Sequence, residues 1–379
     1  MLTDRSLLAL AAKKAFKFVD RREWYHDRTQ SLSFMARLNF HVAQLSREIE
    51  GGTYTPSLKT VFLAPKRIET RDSKDCYTYR PLCRQSFRDE VVEVALLCLF
   101  ANHFEPFWGD TEKDCFPDVW SFGNRLHLVK SDESRAFSVG NARIYRDWGD
   151  DYARFVKDTE AAFNNVLTGL NVKDRAALIC TDLKSFYPSI DRSRFCKLLK
   201  QHAKKDIRPT IERLFGAYDV QLSAGSDGNE ARLASIGLPQ GPAHSGFWAN
   251  VYLSDFDRWV MSELTTLLVK RGILCKLRFY ARYVDDMRFV FRCKGEHSDQ
   301  LLQETENEVS KLLQSFGLEL SKGKTSNIVQ DSTGSLLTTG QVAERMQSIT
   351  KRAYFPLPPR RPKHALGTTF VALFYEMNP

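Results

Sequence analysis

The eight cysteines (Cys76, Cys83, Cys98, Cys115, Cys180, Cys196, Cys275 and Cys293) include no Cys-x-x-Cys pair. That spacing is what a structural zinc site usually needs, so such a site is not expected. Most of them sit beside apolar residues, as reduced core thiols do. Long apolar runs are missing too. The longest, Val91 to Phe100, is broken by Glu93 and is too short to span a bilayer. The opening stretch MLTDRSLLALAAKKAF carries Asp4 early and Lys13 and Lys14 late. A secretion signal has the opposite order, positive charge and then an unbroken apolar segment. A soluble, cytoplasmic chain with no membrane role is expected. No internal repeat is visible, which argues against a repeat architecture.

What is present is an ordinary globular composition. The 379 residues are 43% hydrophobic, which excludes global disorder. At about 150 residues per domain the length suggests two or three lobes. The 26 Phe, 13 Tyr and 6 Trp can build a large core and can also stack on bases. Against 46 acidic residues stand 55 basic ones, a net charge of +9 that by itself favours a polyanionic partner only weakly.

Periodicity sketches the organisation. Residues 1–50 read as mostly helical and end at Gly51-Gly52. A strand is expected over Leu58 to Ala64, closed by Pro65-Lys66-Arg67, and residues 69–80 read as polar and basic with a turn-like Arg71-Asp72-Ser73. Apolar residues at helical spacing predict a helix over 86–104. Residues 105–148 show little period and read as irregular. Helices follow at 152–168, 192–215 and 299–316. Ala176 to Cys180 reads as a buried strand that delivers Asp182, and 223–231 as a loop. The Gly/Pro-rich loop Gly237 to Pro242 runs into a helix from about Ser245. Residues 277–292 predict a hairpin with Asp285-Asp286 at its tip.

That tip carries the chemistry. Adjacent carboxylates repel and are costly to bury without a cation. A bare Asp-Asp pair is most often a solvated turn. Asp182 at the end of a second buried strand changes the balance. Three carboxylates on two neighbouring strands can hold two Mg²⁺ ions roughly 4 Å apart, the arrangement that serves in-line phosphoryl transfer. The rigid loop Gly237-Leu238-Pro239-Gln240-Gly241-Pro242 is a third element, one that lets a backbone approach a ligand closely.

In this order, TDLKSFYPSID, GLPQGPAHSGFWANVYL and RYVDDM resemble the palm motifs A, B and C of reverse transcriptases. YRPL at 79–82 resembles the fingers motif and LSKGKT at 320–325 motif D. SFGNRL at 121–126 and IYRDW at 144–148 resemble segments of bacterial abortive-infection and defence-associated reverse transcriptases. The resemblance covers roughly residues 55–330. It implies an α+β right-hand polymerase with an antiparallel palm sheet, helical fingers and a reduced thumb. Asp182, Asp285 and Asp286 match the metal-binding triad for two Mg²⁺, with Mn²⁺ as a substitute. The Leu183 carbonyl matches an additional metal ligand. Tyr187 falls at the aromatic steric gate against a ribose 2′-hydroxyl. Gln240 and Gly241 match the motif B positions near the incoming dNTP, and Arg80 the triphosphate-binding arginine. Lys324 matches the motif D proton donor, with Lys322 competing. The alternative readings are a core aromatic for Tyr187, a surface arginine for Arg80 and a solvated lysine for Lys324.

The resemblance implies residues 1–170 as N-terminal helical segment and fingers, 171–330 as palm and 331–379 as a short basic, thumb-like region. Basic clusters at 192–213 and 351–363 suit phosphate contacts. No protease, RNase H or endonuclease motif is visible. The expected function is RNA-directed DNA synthesis from dNTPs in antiphage defence. Its partners would be an RNA template or noncoding RNA, the DNA product, and further copies of the chain or a partner protein. The competing readings are a retron-type or group II intron-type enzyme, a template-independent or protein-primed polymerase, and an RNA-binding scaffold.

Overall fold

A computed structural model describes residues 1–20, 26–71, 74–109, 120–130, 135–137, 141–216, 220–222, 237–321 and 324–333. The loop expected at 223–231, Lys322 and the basic cluster at 351–363 lie outside these. Three helices open the chain, α1 (Arg5–Asp20), α2 (Arg28–Ala36) and α3 (Leu38–Glu50). Asp27 caps α2 by accepting from the Gln30 N–H, and α3 ends at Gly51.

The strand expected to stop at Pro65 continues. Strand β1 (Lys59–Arg71) pairs antiparallel with β2 (Lys74–Arg84) along its length, with Arg71 opposite Lys74, so residues 69–71 and 74–80 belong to the two strands. The ladder shifts register between Pro65 and Arg67. An irregularity there accommodates a proline that has no N–H to donate. Helix α4 (Phe87–Phe104) begins on the Ser86 cap, whose side chain accepts from Asp89 N–H. It is buried nearly all round, as a helix central to a core must be. The stretch Phe87–Trp108 is long and apolar enough to cross a membrane, yet most of it is buried inside the protein and it holds Glu90 and Glu93 within the core.

The region expected to be irregular holds a 3₁₀ turn at Glu105–Trp108 and a small hairpin of β3 (Leu128–Lys130) and β4 (Arg135–Phe137). Helix α5 (Trp148–Thr168) starts on an Asp147 cap and leads to β5 (Asp174–Asp182). After the short α6 (Phe186–Ser189), the single helix expected over 192–215 is broken into α7 (Arg192–His202) and α8 (Arg208–Ile211), with a wider turn to Gly216. Ala203 leaves the helical region, and Pro209 suits the first turn of a new helix because its missing N–H has no partner there. Strand β6 (Val220–Leu222) lies parallel to β1.

Helix α9 (Ser245–Trp259) runs through a π-type turn (Val260–Leu264) into α10 (Thr265–Lys270). Strands β7 (Cys275–Tyr283) and β8 (Asp286–Lys294) form the expected hairpin, followed by α11 (Ser298–Ser315) and β9 (Ser326–Gln330). The antiparallel sheet order is β7-β8-β5-β9. One face carries Ala176, Leu178, Phe279, Ala281 and Val290 against Phe155 and Phe163 of α5. The other carries Ala177, Ile179, Tyr280, Phe289 and Phe291 into the main core with α4, α9 and α11. The alternation along each strand therefore buries both faces. The result is a mixed α and β architecture in which one end of the four-stranded sheet carries the acidic residues.

Candidate active site

Register brings the carboxylates together. Asp182 is the last residue of β5 and lies directly opposite Asp286, the first residue of β8. Asp286 also pairs with Tyr283 across the hairpin, so the two-residue tip is Val284-Asp285. The tip thus sits one residue earlier than the sequence suggested, because Asp286 is held in the ladder from both sides. Val284 has φ of 57°, a left-handed backbone that a β-branched residue rarely takes. The Leu183 N–H donates to the Asp285 carbonyl at 3.2 Å, which ties the end of β5 to the tip.

Burial pushes the Asp285 carboxyl up to about 6, reinforced by Asp182 and Asp286. Burial also pushes Asp286 up to about 6, against the Arg288 guanidinium 3.7 Å away and with Asp182 adding to the rise. Asp286 keeps 34% of its side-chain surface, so water screens part of that effect. Lys324 Nζ donates to Asp182 Oδ1 at 2.7 Å. A cation already sits on the acidic cluster, and the remaining carboxylates resist ionising beside one another. That donor set, all hard oxygens, fits a hard divalent ion. Among the described residues no group of three or more His, Cys, Asp or Glu side chains is placed so that it could hold a metal ion as it stands. Asp182 faces Lys324 and Asp286 faces Arg288.

The other expected residues converge on the same end of the sheet. Arg80 on β2 is worked against by burial, while Asp285 and Tyr187 act to hold its charge. Tyr187 follows the left-handed Ser185 and is half-buried, its ring 5.6 Å from that of Phe186. The Leu238 N–H donates to the Tyr187 carbonyl at 3.0 Å. A Cβ on Gly237 would lie 2.0 Å from that carbonyl oxygen, so only glycine allows the approach. Gln240 accepts from the Cys83 N–H at 2.6 Å. Gly241 has φ of 121°, and its Cβ would meet the Cys83 oxygen at 2.8 Å. The 237–242 loop is thus clamped between β2 and the segment after β5. Arg80 lies within electrostatic reach of Asp285 and Tyr187, and the loop ties Gln240 to β2 three residues beyond Arg80.

Two buried networks that sequence reasoning passed over support this arrangement. Lys59 Nζ lies 3.0 Å from Glu93, which also pairs with Gln85 and His244. Burial opposes the Glu93 charge, and its ion pairs hold the carboxyl below the usual range. Burial drives His244 toward neutrality, which leaves Lys59 as the lasting cation. Glu90 accepts from the Ala243 N–H at 3.1 Å, and burial together with Glu93 pushes it up to about 8. These groups pin the start of α9 to α4. The second network surrounds Arg282, whose bonds with Asp257 and Asn250 are fully buried. Its signal in the sequence is two polar residues seven apart, Asn250 and Asp257, which fall on one face of the helix among buried apolar neighbours.

A family model described as reverse transcriptase (RNA-dependent DNA polymerase) matches residues 150–367, more than half of the chain. The match spans β5, the 237–242 loop and the β7–β8 hairpin. No curated protein matches the chain.

Proposed function

The chain belongs to the reverse transcriptase family and is an RNA-directed DNA polymerase, a nucleotidyltransferase; from that premise we propose that Asp182, Asp285 and Asp286 form its catalytic centre. The observation that carries this is the register, with Asp182 opposite Asp286 on the adjacent strands β5 and β8 and Asp285 in the β7–β8 turn that leads into Asp286. Reverse transcriptases bind template and dNTPs and generally use divalent ions. The three carboxylates and the Leu183 carbonyl would hold two Mg²⁺, with Mn²⁺ as substitute. When bound, such ions lower the cost of forming an alkoxide nucleophile and stabilise the charge on departing pyrophosphate.

The chain's own residues divide the remaining work. Arg80 presents a planar five-donor fork to the triphosphate oxygens. Tyr187 lies under the sugar and excludes a 2′-hydroxyl. Gln240 and Gly241, fixed by the loop's contacts with β2, line the nucleotide's other side. Lys324, resting on Asp182, is the candidate proton donor to pyrophosphate. Residues 1–170 serve as N-terminal segment and fingers, 171–330 as palm and 331–379 as a thumb-like region, of which 334–379 lie outside the described residues. The resemblance of SFGNRL and IYRDW to segments of defence-associated reverse transcriptases supports an antiphage role, in which a noncoding RNA or partner subunits would supply the grip of the short thumb-like region.

The test is primer extension on an RNA template with dNTPs and Mg²⁺. Wild-type protein extends, and folded Asp286→Asn does not. Extension by that variant at the wild-type rate removes Asp286 from the catalytic centre. Sequencing the nucleic acid that copurifies from cells tests the biological setting. One recurring noncoding RNA supports it, and an unselected pool of cellular RNA contradicts it.

A further inference from the structure

We propose that Arg282, held by Asp257 and Asn250, is the positioning residue that fixes the left-handed Val284 and thereby sets Asp285 at the catalytic tip. This rests on the reading of Asp285 as a metal ligand.

The bonds form a closed chain. Arg282 Nε and one terminal nitrogen donate to the two oxygens of Asp257 at 2.9 and 2.6 Å. Tyr280 Oη donates to Asp257 Oδ1 at 2.7 Å. The other terminal nitrogen of Arg282 donates both to Asn250 Oδ1 at 3.0 Å and to the Val284 carbonyl at 2.9 Å. Asn250 in turn donates from Nδ2 to the Gly123 carbonyl at 2.7 Å. Gly123 lies against the tip from the far side, where a Cβ would be 2.7 Å from Val284 Cγ2 and 2.8 Å from its nitrogen. The backbone of 120–122 is stitched to β7 by Arg282 N–H to Trp120 O at 2.6 Å and Phe122 N–H to Arg282 O at 2.7 Å. Arg282, Asn250 and Asp257 are wholly buried.

Glycine is the usual occupant of the first central position in a turn whose φ is positive there. Valine at that position relaxes to another conformation unless its surroundings over-determine it. The clamp supplies that determination, bonding the Val284 carbonyl on one side and blocking retreat toward Gly123 on the other. Asp285 is the next residue, so any rotation of the Val284 peptide moves its carboxylate directly. A buried arginine with two bonds to one carboxylate is rigid enough to transmit position.

The test uses Asn250→Ala in the full chain, with Asn250→Ser as the milder variant should the first fail to fold. Asp285→Asn is the control for the site itself. Manganese(II) binding is read by the electron paramagnetic resonance of the free ion, and single-nucleotide addition by burst kinetics. The expected result for the Asn250 variant is a manganese affinity at least threefold weaker and a burst rate at least tenfold lower. Burst amplitude per folded molecule and the dNTP KM stay within twofold. Adding Val284→Gly recovers at least threefold of the lost burst rate, because glycine takes the left-handed turn without a clamp. Unchanged manganese affinity and burst rate, or a loss confined to burst amplitude, overturns the positioning role. Wild-type binding and catalysis by Asp285→Asn instead removes the reading of the site.

Discussion

Replacing Asp285 with asparagine removes one charge from a group of three carboxylates that resist sharing the site. The carboxyl moves from its ordinary 3.8 to about 6 in the metal-free protein, first through burial and then through Asp182 and Asp286. At 1.36 kcal/mol per tenfold change in proton affinity this corresponds to about 3 kcal/mol. The tip is half-buried, and solvent access reduces the expected figure to about 1–2 kcal/mol. Folded protein holds this proton more tightly than unfolded protein does. Unfolding therefore releases it between about pH 4 and 6, and stability falls as pH rises through that window. Urea denaturation in EDTA at pH 8 should find Asp285→Asn more stable than wild type by about 1–2 kcal/mol. The difference should shrink below pH 6 and vanish near pH 4. Excess Mg²⁺ should stabilise wild type and leave the variant nearly unchanged, since only an ion that binds the folded state adds stability. A variant less stable than wild type in EDTA at pH 8, or equal stabilisation of both by Mg²⁺, refutes the reasoning.

Tyr187→Ala should raise rNTP incorporation relative to dNTP while dNTP addition continues; an unchanged ratio in steady-state kinetics returns the ring to a packing role. Gly241→Ala forces a side chain onto the Cys83 carbonyl at a positive φ and should cost about 1–3 kcal/mol in urea denaturation together with a higher dNTP KM. Lys59→Met strands Glu93 in the core and should destabilise by about 3–5 kcal/mol. Adding Glu93→Gln should return part of that loss, and a double variant as unstable as the sum of the singles would show that the two residues do not interact.

The acidic centre was legible because its parts are short-range in sequence: a buried apolar run ending in Asp182, and a hairpin carrying Asp285 and Asp286. What the pattern of residues could not supply was register. Asp286 belongs to the ladder and Val284 to the tip because β8 pairs with β5 and β7 together, a tertiary constraint on a turn with no glycine. Pro65 read as a strand end, yet β1 carries it at a register shift, where pairing with β2 outweighs one missing donor. The break in 192–215 comes at Ala203, and Pro209 opens the next helix six residues on, while the apolar period runs past both. Strand β9 has only Ile328 and Val329 to announce it and exists because β5 offers a free edge. Glu93 read as an interruption in an apolar run, but it is the centre of a buried charge network whose partners Lys59 and His244 are distant in the chain. Arg282 and Asn250 lay inside motifs that resemble the family's, and only their mutual bonds assign them work.

The most direct test of the central claim is single-nucleotide incorporation on an RNA template by folded Asp182→Asn, compared with wild type at saturating dNTP and Mg²⁺. Asp182 sits opposite Asp286 and carries Lys324, so its loss should cut the rate at least about a thousandfold while the melting transition stays cooperative. A cooperatively folded Asp182→Asn protein that adds dNTPs at the wild-type rate contradicts the account.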